Sequence, residues 1–235
     1  MFRFKQFTIQ QDKCAMKVGT DGVLLGAWAP VGHSPSSILD IGAGTGLIAL
    51  MLAQRSNAEQ IDALEIDDDA YEQCVDNFEN SPWGDRLFCY HAGLDEFMEE
   101  PEDEYDLIVS NPPFYTEDHT SGNDSRDRAR FEASLPFEDL AEAASLLLSD
   151  TGIFAVILPY KEEARFLAIA KDNGLYPVKI TRVKGTPESD TKRSLMAFSR
   201  KEAADVDADE VVIETARHIY TREYTALTQD FFLKM

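Results

Sequence analysis

Short continuous apolar runs alternate along this chain with longer segments whose apolar positions recur at helical spacing. Ile38 to Ile41 reads as a buried strand. The turn Gly42-Ala43-Gly44-Thr45-Gly46 closes it, and the run from Thr45 through Leu47-Ile48-Ala49-Leu50-Met51-Leu52-Ala53 reads as a helix packed on a sheet. The alternation then repeats. Ile61 to Leu64 is a strand ended by Glu65, and Asp67-Asp68-Asp69 opens a helix reaching Asn80. Ser81-Pro82-Trp83-Gly84 breaks that helix, Leu87 to His91 is a third strand, and Tyr105 to Ser110 is a fourth, running into Asn111-Pro112-Pro113-Phe114. Beyond a polar, aperiodic stretch at 115–135, a helix (Phe137 to Leu148), a strand (Ile153 to Leu158), a helix (Lys161 to Asp172) and two strands (Tyr176 to Val183, Ser194 to Phe198) follow. Residues 2–10 suggest a strand or hairpin. Thr20 or Asp21 is suited to cap a helix over the next apolar residues, and the aromatic tail reads as a terminal strand with a docked helix. Strands alternating with helices define an α/β fold with a doubly wound parallel sheet in one domain, residues 1–235.

Composition narrows the class. At 235 residues with 44% hydrophobic positions the chain can bury one large core. No apolar run approaches the ~20 residues of a membrane span, and the N-terminus lacks the apolar core of a signal peptide. A cytoplasmic setting is expected. Cys14, Cys74 and Cys89 form no Cys-x-x-Cys pair, and the four histidines are scattered, so neither a metal site nor a disulfide framework is indicated. The net charge of −21 argues against broad electrostatic attraction to nucleic acid and requires any such partner to meet a local basic patch.

Two motifs carry candidate chemistry. The glycines are spaced Gly-x-Gly-x-Gly (Gly42, Gly44, Gly46), whereas a pyrophosphate-binding turn reads Gly-x-Gly-x-x-Gly. Asp40 at the strand end would repel a pyrophosphate but accepts bonds from an ammonium or hydroxyls. Glu65, 19 residues beyond Gly46, stands where a ribose-binding acid is found, about 20 residues on. S-adenosyl-L-methionine suits this set better than NAD. At the other motif, a stiff Pro112-Pro113 turn leaves carbonyls free. The Asn111 side-chain oxygen and the Pro112 carbonyl could each accept one N–H of an exocyclic amine, aiming its lone pair at a methyl sulfonium, while Phe114 stacks on the ring.

These residues resemble the amino-methyltransferases of the Rossmann-like S-adenosylmethionine-dependent superfamily. Together with Phe4-Lys5-Gln6-Phe7, the segment Cys14 to Trp28 and Tyr224-Thr225-Ala226-Leu227-Thr228-Gln229, they resemble the bacterial tRNA1(Val) adenine-37 N6-methyltransferase family over nearly the whole chain. The resemblance implies a Rossmann-like methyltransferase sheet, mostly parallel with an antiparallel strand near the C-terminus. It also implies a monomeric enzyme that methylates N6 of the adenine 3′ of the anticodon, releasing S-adenosyl-L-homocysteine.

By position the resemblance implies that Asp40, Gly42 and Gly44 line the methionine side of the cofactor, that Gly46 belongs to the same cofactor site, Glu65 to the ribose, and Lys17, Thr20 and Asp21 to a covering segment within residues 1–30. It likewise implies that Asn111, Pro112, Pro113 and Phe114 hold the target base, with Asn111 also among the cofactor-binding residues. Many relatives carry Ala-Asp after the third strand, the acid bonding the cofactor's adenine amine; here the pair is Ala92-Gly93, with Asp95 two residues late. Candidate phosphate contacts are Arg126, Arg128 and Arg130, then Lys184, Lys192 and Arg193 with Lys179 and Arg182. A protein-glutamine or DNA-adenine methyltransferase, or a non-enzymatic cofactor-binding RNA chaperone, are the competing readings.

Overall fold

The computed structural model describes residues 1–99, 104–113 and 135–234. Phe2–Arg3 (β1) and Thr8–Ile9 (β2) form a small antiparallel pair, and Thr20–Trp28 (α1) follows. The alternating unit is Ser37–Ile41 (β3), Leu47–Arg55 (α2), Gln60–Glu65 (β4), Asp68–Glu79 (α3), Leu87–His91 (β5), Leu94–Glu99 (α4) and Tyr105–Ser110 (β6). Phe137–Leu147 (α5), Leu148–Pro159 (β7), Glu163–Asp172 (α6), Tyr176–Lys184 (β8) and Thr191–Ser199 (β9) continue it. Asp207–Val212 (β10), Glu214–Ala216 (β11), Ile219–Tyr220 (β12) and Arg222–Thr228 (α7) complete the described elements.

Eight strands form one sheet in the order β10-β8-β9-β7-β6-β3-β4-β5. The pairs from β5 through β7 are parallel, and β9 alone runs antiparallel, between β7 and β8. This is the mostly parallel, doubly wound sheet expected from the sequence, with its antiparallel strand near the C-terminus. Its central strands are apolar on both sides because helices cover both faces. Along β7, Ala155 and Ile157 pack on one face and Phe154, Val156 and Leu158 on the other. The first face is covered by α1 and α2, with the N-terminal hairpin and Phe231 packed beside them; the second is covered by α5 and α6. Every residue from Leu47 to Ala53 is buried, because α2 lies between the sheet and α1.

Several local expectations change. The helix after the first strand starts at Leu47, with Gly46 in the left-handed conformation as its N-cap. The cap of α1 is Gly19 and makes no side-chain cap bond, so Thr20 and Asp21 lie inside the first turn. Asp67 does cap α3, accepting from the Ala70 N–H at 2.9 Å. Helix α4 and strand β10 were not expected. The β10 segment Asp-Ala-Asp-Glu lacks apolar alternation, and cross-strand ion pairs tie it to β8: Lys179 to Asp207 and Asp209 at 3.6 Å, and Lys184 to Glu210 at 3.0 Å. No helix among the described residues is long and apolar enough to cross a membrane.

Candidate active site

Parallel strands bring their carboxyl ends to one rim, so Gly42, Glu65, Ala92 and Asn111 converge although they lie far apart in sequence. The glycine turn is locked by its own backbone. Gly42 and Ala43 donate to the Leu64 carbonyl at 3.0 and 2.9 Å, and Gly46 donates to Ala43 at 2.9 Å. Gly42, Gly44 and Gly46 have φ of +74°, +56° and +75°, a region that L side chains enter only with strain. The Gly44 N–H donates to Glu65 Oε2 at 2.7 Å. Glu65 Oε1 accepts from the Ile66 and Asp67 N–H groups, both at 2.9 Å. These three bonds fix the Glu65 carboxylate while leaving it acceptor capacity toward the rim.

Asp40 lies directly beneath. Its side chain is fully buried; Oδ2 accepts from the Ala49 N–H at 3.1 Å, and Oδ1 has no hydrogen-bond partner among the described residues. Burial pushes this carboxyl up to about 7, the Ala49 bond opposing and the Glu65 charge reinforcing the shift. An unpaired buried acceptor is costly unless a donor or cation reaches it. A positive charge brought near Asp40 would favour its ionised form.

A cavity of about 750 Å³ runs along the rim, within the usual size range of small-molecule sites. Gly42, Gly44, Glu65, Asn111 and Pro113 line it. Asp40, Gly46 and Pro112 do not; Asp40 and Gly46 are buried below the turn, Gly46 against Phe78 and Cys74. Lys17 and Thr20 are exposed outside the lining, and Asp21 forms an ion pair with Arg193 at 2.7 Å. The covering segment contributes Cys14, Ala15 and Met16 instead. Its course is fixed by amide side chains of α3: Asn77 accepts from Gln10 N–H and donates to the Gln10 and Thr45 carbonyls, while Gln73 accepts from Lys13 N–H. Burial, with the Glu65 and Asp67 charges, raises the Cys14 thiol to about 11, so it stays protonated and unreactive.

The lining has five carboxylates, Glu65, Asp67, Asp95, Asp139 and Glu142, and no lysine or arginine among the described residues. Such a wall repels a pyrophosphate and favours a ligand bearing positive charge. The sequence reading missed Asp139 and Glu142, which lie three apart on α5 with Pro136 preceding; that periodicity was available.

The basic candidates divide. Phe114, Arg126, Arg128 and Arg130 lie outside the described residues. Lys184, Arg193, Lys179 and Arg182 are each ion-paired within the chain, Arg182 to Glu163 at 2.7 Å. Lys192 is exposed and forms no ion pair among the described residues.

A family model described as "Methyltransferase small domain" matches residues 24–127. The chain is 72% identical over its full length, and that of the relative, to a Flavobacterium johnsoniae protein described as tRNA1(Val) (adenine(37)-N6)-methyltransferase. This chain belongs to that family. A Proteus mirabilis member is 40% identical over 99% of this chain and 93% of its own length. In fold, the family member described here is similar to an Agrobacterium tumefaciens protein described as a predicted O-methyltransferase, with a TM-score of 0.70 and 18% identity over 90% of this chain and 96% of that one. At that identity the likeness concerns the sheet and its helices alone, so the chemistry has to be argued from the rim.

Proposed function

We propose that this chain is an S-adenosylmethionine-dependent methyltransferase that modifies N6 of adenine 37 in the anticodon loop of a valine tRNA. The observation that carries the reading is the continuity of the acid-lined cavity from Glu65 to Asn111 and Pro113. The methyl donor and the accepting amine then share one chamber. The donor fits the residues present: it carries an ammonium and a sulfonium, which suit a wall of carboxylates, and beneath the turn, outside the lining, Asp40 Oδ1 is a buried acceptor with no partner among the described residues. When bound, S-adenosylmethionine supplies an electrophilic methyl group and leaves as S-adenosylhomocysteine.

The chain's own residues hold and orient. Glu65 receives the ribose hydroxyls, because its three backbone bonds prevent it from turning away. The open φ-positive turn at Gly42 and Gly44 lets the ligand approach the backbone. The Asn111 side-chain oxygen and the Pro112 carbonyl each accept one N–H of the target amine. This draws the nitrogen lone pair out of conjugation with the ring and directs it toward the methyl group. Positioning of this kind needs no covalent intermediate.

Arg126, Arg128 and Arg130, close in sequence to the Asn111 turn, supply phosphate contacts, since the charges at Lys184 and Arg193 are already engaged. An anticodon-loop base is already unpaired, so turning it into the chamber costs less than flipping it from a duplex.

Methyl-labelled S-adenosylmethionine incubated with RNA from a strain lacking this activity, followed by nucleoside mass spectrometry, tests the reading. N6-methyladenosine confined to one tRNA supports it. Label in a protein fraction with none in RNA refutes it in favour of a glutamine amide acceptor.

A further inference from the structure

Strand order separates the two ends of the reaction. Along the rim the strands stand β8, β9, β7, β6, β3, β4, β5. The cavity lies over the ends of β3, β4 and β5, and the Asn111 turn bounds it at the end of β6. On the reading proposed above, on which this inference rests, the polynucleotide carrying the target amine therefore continues over the ends of β7, β9 and β8.

An aromatic ring with a fixed cation against it stands there. Val156 is the register partner of Ser110, so Tyr160, which follows the last residue of β7, sits about 10 Å beyond the level of Asn111 on the adjoining strand. Tyr160 is 42% exposed, packs into neither apolar core and lies outside the cavity lining. Its hydroxyl makes no hydrogen bond among the described residues. The Arg182 guanidinium carbon is 5.8 Å from the ring centroid, within cation–π range. That guanidinium is held in place. Its Nη2 donates to Glu163 Oε1 at 2.7 Å, and its Nε to Oε2 and Oε1 at 3.2 and 3.3 Å. The Ser194 hydroxyl donates to the same carboxylate, which is buried at the start of α6. An arginine tied in this way has its charge engaged and supports the ring instead. Pro159 and Arg193 are the last paired residues of β7 and β9, so Lys192 stands across from Tyr160. Lys192 is exposed and forms no ion pair among the described residues.

We propose that Tyr160, backed by Arg182, is a stacking platform for the base of a nucleotide adjoining the target, and that Lys192 contacts the phosphate of that nucleotide. A base turned into the chamber leaves its neighbour without a stacking partner, and the Tyr160 ring replaces it. Every base has a π-face, so the platform secures the loop without selecting sequence, and the choice of adenine stays with the Asn111 turn.

Affinity for the valine tRNA, intact or with an abasic nucleotide on either side of the target, separates these roles when measured between about 50 and 200 mM salt. Tyr160→Ala is expected to weaken binding about five- to a hundredfold with an unaltered log–log salt slope, and Tyr160→Phe to recover most of the loss. Lys192→Ala is expected to reduce the slope by about 0.7, the value of one phosphate contact on a single strand. One of the two abasic substitutions is expected to cost the native chain the same factor as Tyr160→Ala, and to cost that variant nothing further. Arg182→Lys keeps a charge and loses the fork on Glu163, so it is expected to weaken binding in the native chain and not on the Tyr160→Ala background. Native affinity in Tyr160→Ala, or abasic losses that persist undiminished in it, overturns the platform. An Arg182→Lys loss independent of Tyr160 overturns the backing role, and an unchanged slope in Lys192→Ala overturns the phosphate contact. A native chain that transfers no methyl group to the intact tRNA overturns the substrate reading itself.

Discussion

The three glycines of the turn share a backbone conformation but not a neighbourhood, and replacing each by alanine separates stability from binding. Gly44→Ala places a methyl group where no described protein atom lies within 4 Å, on a residue that lines the cavity. Its cost to folding is only that of holding an L residue at a φ of +56°, about 1–2 kcal/mol. For a chain of this size each kcal/mol lowers the melting temperature by roughly 2–4 °C, so the expected loss is about 2–8 °C. Gly46→Ala suffers the same backbone strain and in addition drives its Cβ to 2.5 Å from the Phe78 ring and 2.9 Å from Cys74 Sγ. Both neighbours are fully or almost fully buried and cannot swing into solvent. Overpacking of that kind adds about 1–3 kcal/mol, for a total of about 2–5 kcal/mol and a fall of roughly 4–20 °C.

Binding follows the opposite order. The methyl group of Gly44→Ala enters the cavity and removes the close approach of ligand to backbone. At Gly46 the side chain faces away from the cavity, toward α3. Differential scanning calorimetry paired with titration of S-adenosylhomocysteine checks both halves. Gly44→Ala is expected to melt near the native chain and bind at least tenfold more weakly; Gly46→Ala is expected to melt much lower and, while folded, to bind nearly normally. Equal melting temperatures for the two variants, or loss of binding confined to Gly46→Ala, would refute the reasoning.

Asp40 has a native pKa of about 7, above the range of an unfolded carboxylate, so the folded state binds the extra proton and stability falls as pH rises from about 4 to 7. Asp40→Asn is expected to flatten that part of the pH–stability profile, read by denaturant melts, and a cationic ligand reaching Asp40 is expected to release a proton near pH 7, read by titration in buffers of different ionisation enthalpy. Asn111→Ala is expected to reduce methyl transfer by at least a hundredfold with the cofactor dissociation constant changed less than threefold, measured by single-turnover kinetics and calorimetry. Asn77→Ala leaves the Gln10 N–H and the Gln10 and Thr45 carbonyls without their partner, a loss of about 2–4 kcal/mol; limited proteolysis is expected to cut the segment before α1 first. Arg126, Arg128 and Arg130 changed together to alanine are expected to weaken tRNA binding and reduce its log–log salt slope by about 2. Changing Lys184 instead is expected to lower thermal stability with the slope unaltered, because its charge is engaged by Glu210.

What the sequence made readable is what short-range order determines. The runs at Ile38–Ile41, Ile61–Glu65 and Tyr105–Ser110 are strands because helices cover both faces of the sheet, and a strand buried on both sides has no polar alternation to blur it. The glycine turn and Glu65 were identifiable because their geometry is set by backbone bonds between adjacent elements. Strand β10 was hidden because its pairing is written in charge, with acids matched to Lys179 and Lys184 on the neighbouring strand, and no single-segment pattern records such a match. Helix α4 was hidden because six residues hold too few turns to show a period.

The same distinction explains the basic residues. Read in isolation, Lys184 and Arg193 are cations available to a phosphate. In the fold, Lys184 meets Glu210 and Arg193 meets Asp21, 172 residues away in sequence, so these charges hold β8, β9, β10 and α1 together. A protein with a net charge of −21 that uses its cations this way leaves few for RNA. Its grip on a tRNA must then rest on a local group of cations. The acid-lined cavity carries the complementary charge, which favours a cationic ligand and disfavours a phosphorylated one. One charge excess thus bears on both ends of the reaction: its sign suits a cationic small ligand, and it leaves the large one to be gripped by a few local cations.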